Sequence, residues 1–290
     1  MATSSPQFVN RRHCIFCPNE ANSNEHPLPQ WLDSVLGPRL DSDFQFNSRT
    51  EGPNELPKVK KKSGSPRTKR LRVVCESCNN VWMSWLQDAA KSLMSNLIRD
   101  EDVTLSLRDK TILASWMAMT TMVLEFDNSY RAISERERFW LRSLRLPPPT
   151  HWTIFAGRVI ADAGHTWYFH DPAIIYRRGE PQPVAPNMQR TYLTIGNLLL
   201  IACSATIPAT QDGVTFEEAR SDFGEQLGFE KIWPPSESEL SWRALPAYPV
   251  IQIEVIANAR NPNILLAKFH GMSDILSRAT RSSAVLSAKN

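Results

Sequence analysis

The sequence predicts an α+β protein with a cysteine-bearing N-terminal unit, a helical middle and a C-terminal region of mainly antiparallel β-sheet with peripheral helices. Three observations support this prediction. Four cysteines fall within the first 78 residues, helical apolar spacing follows them, and β-branched and aromatic runs dominate after residue 150. With 42% apolar and 22% charged residues in 290, the composition excludes a disordered or fibrous chain.

The predicted helices begin directly after the second pair of cysteines. Apolar residues recur three or four apart over residues 79–99, which is typical of an amphipathic helix. Residues 105–126 are apolar nearly all round, which predicts a helix packed on several sides. Ser134 and Glu137 have the spacing of a capping box and start a third helix, which ends before the triple proline at 147–149.

Beyond the prolines, β-branched and aromatic runs lie between turn signals, and Gly196-Asn197 predicts a hairpin turn. The predicted strands are 151–160, 166–170, 173–176, 190–195, 198–205 and 250–255, with one helix near 216–227. We take the triple proline as the main domain boundary. The predicted units are a cysteine-bearing domain with a basic insertion loop (1–100), a helical segment packing on it (101–146), an α+β domain of unknown function (150–281) and a frayed tail (282–290).

Four of the five cysteines form two C-x-x-C pairs, Cys14 with Cys17 and Cys75 with Cys78. Two such turns present four thiolates suited to a tetrahedral zinc ion, with each sulfur about 2.3 Å from the metal. We expect a structural zinc site here. Two redox pairs or accidental spacing are the alternatives, since 57 residues separate Cys17 from Cys75. Cys203 lies in an apolar run and is expected to be a small buried hydrophobe.

Positive charge is concentrated in residues 58–72, which hold eight basic and no acidic side chains. Without these eight, the net charge of +3 becomes −5. Gly64-Ser65-Pro66 predicts a mobile loop within this segment. Two interpretations stay open, a solvated loop or a surface that contacts nucleic-acid phosphates. The candidate phosphate contacts are Lys58, Lys60, Lys61, Lys62, Arg67, Lys69, Arg70 and Arg72.

No segment predicts export or insertion into a membrane. The first twelve residues lack the apolar run of a secretory signal. The uncharged run 111–124 is shorter than the ~18 residues needed to span a bilayer, and the run 191–211 suits a hairpin better. We therefore expect a cytoplasmic protein without a membrane partner.

Two stretches beside the cysteine pairs carry residue types that are used in catalysis. The stretch from Glu25 reads EHPLPQWL, and the stretch from Asn79 reads NNVWMS. An acidic residue and a His after one C-x-x-C, with Asn directly after another, resemble the HNH endonucleases of the ββα-metal class in their zinc-knuckle form, over about residues 13–90. The stretches also resemble a broad set of bacterial and phage HNH-like proteins with E-H-x-x-P-x-W-L and C-x-x-C-N-N-x-W-M-S motifs.

The resemblance implies a treble-clef-like ββα-metal unit that hydrolyses phosphodiester bonds, with DNA as the expected substrate. His26 would be the general base, and Glu25 would ligate Mg²⁺ or Mn²⁺ together with Asn79 or Asn80. Neutral imidazole can accept a proton near pH 7, and a hard divalent cation prefers carboxylate and amide oxygens. Host defence, phage biology and mobile-element processing would all suit such a nuclease.

One position departs from the pattern of that family. The Asn that orients the base usually stands about five residues before the second C-x-x-C, where this chain has Arg70. Asn47, Asn54 or a backbone carbonyl could take that role, or nothing does. The alternative function is therefore that of a catalytically inactive, zinc-stabilised protein that binds nucleic acid or another partner.

Each candidate side chain also has a purely structural interpretation. His26 and Glu25 could satisfy a local turn, and Asn79 and Asn80 are natural helix caps. Three tryptophans are expected to pack around the cysteines rather than to stack on bases: Trp31, Trp82 and Trp85.

Overall fold

The computed structural model describes residues 13–38, 44–49, 58–128, 130–173, 185–205 and 227–257, with the backbone alone for 44–49 and 58–63. Helices dominate between residues 84 and 144, and an almost unbroken run of strands follows from residue 152, which confirms the α+β class. The strands are β1 (Ser23–Glu25), β2 (Phe44–Arg49), β3 (Lys58–Ser63), β4 (Leu71–Val74), β5 (Thr104–Leu105), β6 (Trp152–Ile160), β7 (Thr166–Ala173), β8 (Met188–Ile195), β9 (Leu198–Ala205), β10 (Glu230–Trp233), β11 (Leu240–Ser241) and β12 (Ala247–Pro249). The helices are α1 (Leu32–Leu36), α2 (Ser84–Ile98), α3 (Leu107–Leu124), α4 (Glu135–Leu144) and α5 (Val250–Ala257).

An eight-stranded sheet forms the centre of the molecule. Its order is β10-β6-β9-β8-β7-β2-β3, and β12 lies along the same edge of β6 as β10. Among the described strands of this sheet, the β2–β7 and β12–β6 pairs are parallel and the others are antiparallel. The predicted hairpin at Gly196-Asn197 joins β8 to β9, and Gly196 has a positive φ of 53°, which glycine adopts without strain. The prediction of a mainly antiparallel sheet is therefore confirmed.

The central strands of this sheet are buried on both faces. Every residue of β9 is buried, and alternate side chains along the strands belong to two different apolar clusters. One cluster packs against α3 and includes Trp152 and Leu200, and the other packs against α5 and includes Trp167 and Cys203. The prediction that Cys203 is a buried hydrophobe is confirmed.

The chain between the two cysteine pairs contributes two strands to this sheet. β2 pairs with β7, and β3 forms the sheet edge beside β2. The basic insertion loop was thus predicted wrongly over residues 58–63, because pairing with β2 overrides the local signals, and the breaker residues lie just after the strand. There Ser65 caps a buried 3-10 turn, Pro66–Thr68, by accepting from the Arg67 N–H at 3.3 Å.

The predicted strand at 250–255 is also wrong, because these residues form α5. Residues 251–255 alternate between apolar and polar side chains, which favours a strand, but so short a segment can also form a helix. Packing against the sheet buries Ile253 and Ile256 and leaves Ile251 exposed, which selects the helix. Three predictions lie outside the described residues: the helix at 216–227 as far as residue 226, the strand at 173–176 beyond Ala173, and the tail from residue 282.

The helices of the N-terminal half follow their sequence signals closely. The helix after the second cysteine pair opens as a wide π-helical segment, Cys78–Met83, and continues as α2. α4 begins with the predicted capping box, in which Glu137 N–H donates to Ser134 Oγ at 3.3 Å. α2 packs on α3 and reaches the sheet where Asn197 N–H donates to the Ile98 carbonyl at 3.1 Å. The predicted domain boundaries stay predictions.

Within the described part of the chain, no helix combines the length and the apolar character needed to cross a membrane.

Candidate metal centre and active site

The structure brings the four predicted cysteines into one cluster. Their sulfur atoms all lie within 4.8 Å of one another, with Cys17 Sγ 3.5 Å from Cys75 Sγ and 3.7 Å from Cys78 Sγ. Tetrahedral zinc with bonds of about 2.3 Å holds its sulfurs about 3.8 Å apart. The four thiols are therefore placed to bind a structural metal ion such as zinc.

Strand pairing closes the long gap in sequence between the two cysteine pairs. β1 runs antiparallel to β4, with Ser23 opposite Val74, so both pairs meet at one end of this ladder. The Ile15 N–H donates to the Val73 carbonyl at 2.9 Å, which fixes the first cysteine turn against β4. The 57-residue insertion therefore does not prevent a single metal centre.

Hydrogen bonds within the cluster favour deprotonation of Cys14. The Phe16 N–H points at Cys14 Sγ at 3.5 Å. A hydrogen bond with Cys78 lowers the pKa of Cys14 to about 5, while the same contact raises the pKa of Cys78. Metal binding replaces thiol protons, so a cluster that already favours one thiolate is suited to a cation.

Aromatic side chains cover the cysteine cluster on one side. Trp82 is buried, and its ring meets Phe16 edge to face at 5.0 Å. The Arg145 guanidinium lies over the Trp82 ring at 4.9 Å. The predicted core position is thus confirmed for Trp82, and the partly buried Trp31 packs against the same core. The same prediction of a core position is wrong for Trp85, which is 55% exposed because α2 turns that side chain towards solvent.

Glu25 and Asn79 come together although 53 positions separate them in the sequence. Glu25 ends β1 and is only 3% exposed, and Asn79 lies in the π-helical segment that follows β4. Desolvation raises the pKa of Glu25 to about 7, although amide hydrogen bonds from Gln87 and Asn79 act against the shift. The Gln87 amide donates to Glu25 Oε1 at 3.2 Å, and the Asn79 amide donates to Ser23 Oγ at 2.7 Å.

Gln87 was missed by sequence analysis. It stands eight residues after Asn79, which places the two side chains close to the same face of the helix after about two turns. This spacing from Asn79 was the only sequence signal for Gln87. The contact itself arises because β1 packs on the helix and brings the Glu25 carboxylate to Gln87.

His26 follows directly at the outer end of β1. It is half-buried, and its Nε2 lies 3.3 Å from the Gln30 amide nitrogen. Glu25 pairs with Leu71, and the exposed Arg70, which stands in place of the orienting Asn of the HNH pattern, directly precedes Leu71 in sequence. Asn80, the other candidate on the helix, is exposed.

The eight basic candidates divide into different environments. Arg67 is buried and donates to Asp33 Oδ1 and to the Gly37 carbonyl, both at 3.0 Å. Lys69 forms a 2.7 Å ion pair with Asp127. These two side chains join elements of the fold. Arg70, just before β4, and Arg72, in β4, are exposed, although Arg72 Nε donates to the Ala21 carbonyl at 3.1 Å. The remaining four lie on the edge strand β3: Lys58, Lys60, Lys61 and Lys62.

A cavity of about 550 Å³ adjoins the first cysteine turn. One wall is the turn itself, residues 13–18, and the other is formed by Phe126 and the side of α4 that carries Glu135, Arg138 and Phe139. α4 therefore lies directly beside the metal centre.

Comparison with known proteins gives no match among family models, curated proteins or solved structures. Arguments about function depend on the geometry and chemistry of this site.

Proposed function

We propose that this protein is an HNH-like, metal-dependent endonuclease that hydrolyses phosphodiester bonds of DNA, with His26 as general base. One observation carries the proposal. Glu25 and Asn79, together with the adjacent His26, meet on a strand–strand–helix framework beside four clustered cysteines. This is the arrangement that the resemblance implies for a ββα-metal nuclease.

The surroundings of Glu25 fit a divalent cation. Its carboxylate receives hydrogen bonds from neutral amides, and no Lys or Arg among the described residues forms an ion pair with it. Carboxylate and amide oxygens are the donors that Mg²⁺ and Mn²⁺ prefer. Glu25 and Asn79 would hold the ion, which would stabilise negative charge on the phosphate when bound.

The remaining residues have distinct roles in the proposed reaction. His26 accepts a proton from the attacking water, which requires neutral imidazole near pH 7. Gln87 orients the Glu25 carboxylate, and the exposed Arg70 and Arg72 offer charge to the substrate phosphates. The zinc in the cysteine cluster stabilises this framework and takes no part in the reaction.

The test is cleavage of supercoiled plasmid and single-stranded DNA by zinc-loaded protein, with Mg²⁺, with Mn²⁺ and with no added cation. Omitting the cation, instead of chelating it, leaves structural zinc in place. The wild type should cut only with added cation, and His26→Ala should cut about 10²–10⁴-fold more slowly. His165→Ala, a control on a half-buried His beside the C-terminal sheet, should match the wild type. A zinc-loaded wild type that cuts neither substrate would refute the proposal.

A second candidate function is a zinc-stabilised protein that binds nucleic acid without cutting it. Arg70 in place of the orienting Asn and the burial of Glu25 favour this candidate. It predicts affinity that falls when the lysines of β3 are neutralised and is indifferent to His26→Ala. Arg67 and Lys69 form internal ion pairs, so at most six of the eight charges meet phosphates. The slope of log affinity against log salt should therefore be no steeper than about −5.

A further inference from the structure

Helix α4 presents most of its apolar side chains to solvent. Its buried residues are Arg138 and Leu141. On the opposite side Phe139 is 57% exposed, Trp140 37% and Leu144 50%. Together with Arg136 and Ser143, they follow the i, i+3, i+4, i+7, i+8 spacing of one helix face. We call this face the α4 stripe.

Further exposed apolar side chains lie near the α4 stripe. Leu146 follows the helix, and Arg145 contacts Trp82, whose neighbours Val81 and Trp85 are exposed on the adjoining helix. Six of the ten large exposed apolar side chains among the described residues belong to these two neighbouring helices and the end of α4. A concentration of this kind typically marks a surface that binds another protein.

The charges beside the α4 stripe complement a second copy of the same helix. Glu135 and Arg142 are seven residues apart, so both lie on one edge of the stripe, with the acid at the N-terminal end and the base at the C-terminal end. When two such helices pack antiparallel around a two-fold axis, Glu135 of each meets Arg142 of the other. Antiparallel packing also brings helix ends of opposite partial charge together.

The free chain also leaves like charges close together at this end. Arg142 lies in the last turn of α4 and Arg145 caps its C-terminal end, so two basic side chains lie at this end of the helix. A carboxylate arriving from a partner would offset this repulsion. Glu135 is exposed at the other end of the same helix and can supply that carboxylate to a second copy.

We propose that the α4 stripe is a homodimer interface, in which a second copy packs its α4 antiparallel across Phe139, Trp140 and Leu144. Phe139 and Trp140 offer rings on which bases can stack, but the exposed Glu135 at the edge of the stripe repels phosphates and matches the Arg142 of a second copy, which favours the dimer. One helix from each protomer buries less than the ~800 Å² per partner of a standard stable interface. The dimer is therefore weak and depends on protein concentration.

Sedimentation velocity of the full, zinc-loaded chain across the micromolar range tests the proposal. The wild type should pass from monomer to dimer as concentration rises. The double variant Phe139→Ser, Trp140→Ser should stay monomeric with unchanged zinc content and circular dichroism. Ile160→Ser, a matched control at an equally exposed apolar side chain at the end of β6, should dimerise like the wild type. A wild type that is monomeric throughout the range would overturn the proposal.

A charge reversal tests the antiparallel arrangement. Glu135→Arg alone and Arg142→Glu alone each place like charges together at both ends of the interface, so each should weaken dimerisation several-fold. The combined variant restores opposite charges at both ends and should recover the wild-type constant. Failure of the combined variant to improve on either single variant would exclude this packing. Neither experiment depends on nuclease activity.

Discussion

The cysteine region (residues 13–38 and 71–83) and the central sheet are stabilised in different ways. β6, β7, β8 and β9 are eight or nine residues long and enclose large apolar side chains on both faces. In the cysteine region, β1 and β4 have three and four residues, and four thiols converge at one point. Burial of apolar surface is enough to explain the sheet, whereas we expect the cysteine region, with its short strands, to gain a large part of its stability from a metal ion bound by the four thiols.

The candidate catalytic residues lie in the cysteine region, which has the shorter strands. Glu25 and His26 lie eight and nine residues after Cys17, Asn79 directly follows Cys78, and α2 connects this region to α3 and the sheet. A small metal-held framework can orient polar side chains near the surface without a large core of its own. Substitutions in the cysteine region should therefore affect zinc content and local structure, whereas substitutions in the sheet should lower the free energy of unfolding without loss of zinc.

The largest effect should follow loss of a cysteine ligand. Because structural zinc contributes about 10 kcal/mol or more of apparent folding free energy, Cys75→Ser should lose the metal and unfold the cysteine region. Zinc analysis and circular dichroism measure both consequences. Cys203→Ser, the control in the sheet, should keep its zinc. A Cys75→Ser variant with full zinc content would show that the cluster is not the site.

A core truncation in the sheet should have a moderate effect and leave the metal in place. Leu200→Ala removes a fully buried side chain between β9 and α3 and should cost roughly 2–5 kcal/mol of unfolding free energy. Urea denaturation gives the free energy, and zinc analysis shows whether the regions are separable. Val255→Ala, at an exposed position of α5, should change little. Zinc loss from Leu200→Ala under native conditions would contradict the distinction between the two regions.

The buried carboxyl of Glu25 predicts a dependence of stability on pH. Burial raises its pKa from 4.5 to about 7, so its contribution is fully present below pH 4.5 and is lost as pH rises through 7. Without added divalent cation, Glu25→Gln should therefore gain up to about 3 kcal/mol relative to the wild type between pH 5 and pH 8. Thermal unfolding at both pH values measures this.

Added Mn²⁺ sharpens that experiment. It should raise the midpoint of the wild type at pH 8 by binding the ionised carboxylate, and it should leave Glu25→Gln unchanged. Equal responses of the two proteins would show that Glu25 does not bind the cation.

The smallest effect on stability should come from the edge strand β3. Replacing Lys60, Lys61 and Lys62 with Gln should change the free energy of unfolding by no more than about 0.5 kcal/mol. It should reduce the salt slope of DNA binding by about 3, because three phosphate contacts are lost. Fluorescence anisotropy over a salt series gives the slope. As a control, three exposed basic residues on other elements are changed to Gln, and the salt slope should then stay as in the wild type: Lys91, Arg99 and Arg108.

Local signals were sufficient for several parts of this structure. The spacing of the four cysteines, the Gly196-Asn197 turn and the Ser134 cap each depend on neighbours in sequence, and all three were predicted. The path of β2 and β3 into the sheet was not, because pairing with β7 joins residues more than a hundred positions apart. α5 was missed because the positions of its apolar residues fit both the period of a strand and that of a helix, and only packing against the sheet distinguishes them.

The candidate site shows the same division. Glu25, His26 and Asn79 were proposed through the resemblance that their residue types and positions after the cysteine pairs carry, and their catalytic roles stay predictions. Gln87 was not, since its contact with Glu25 spans 62 residues and arises from packing of β1 on the helix. The charge run looked uniform in sequence, yet Arg67 is buried against Asp33 and Arg70 is exposed. Burial of individual charges depends on the tertiary fold and not on local composition.

Hydrogen exchange measured by mass spectrometry, with and without removal of zinc by a chelator, tests the central distinction most directly. The account predicts that residues 13–26 and 71–83 lose protection when zinc is removed, while β8 and β9 keep theirs. Equal loss of protection in both regions, or no change in either, would contradict a metal-held catalytic framework supported by an independently stable sheet.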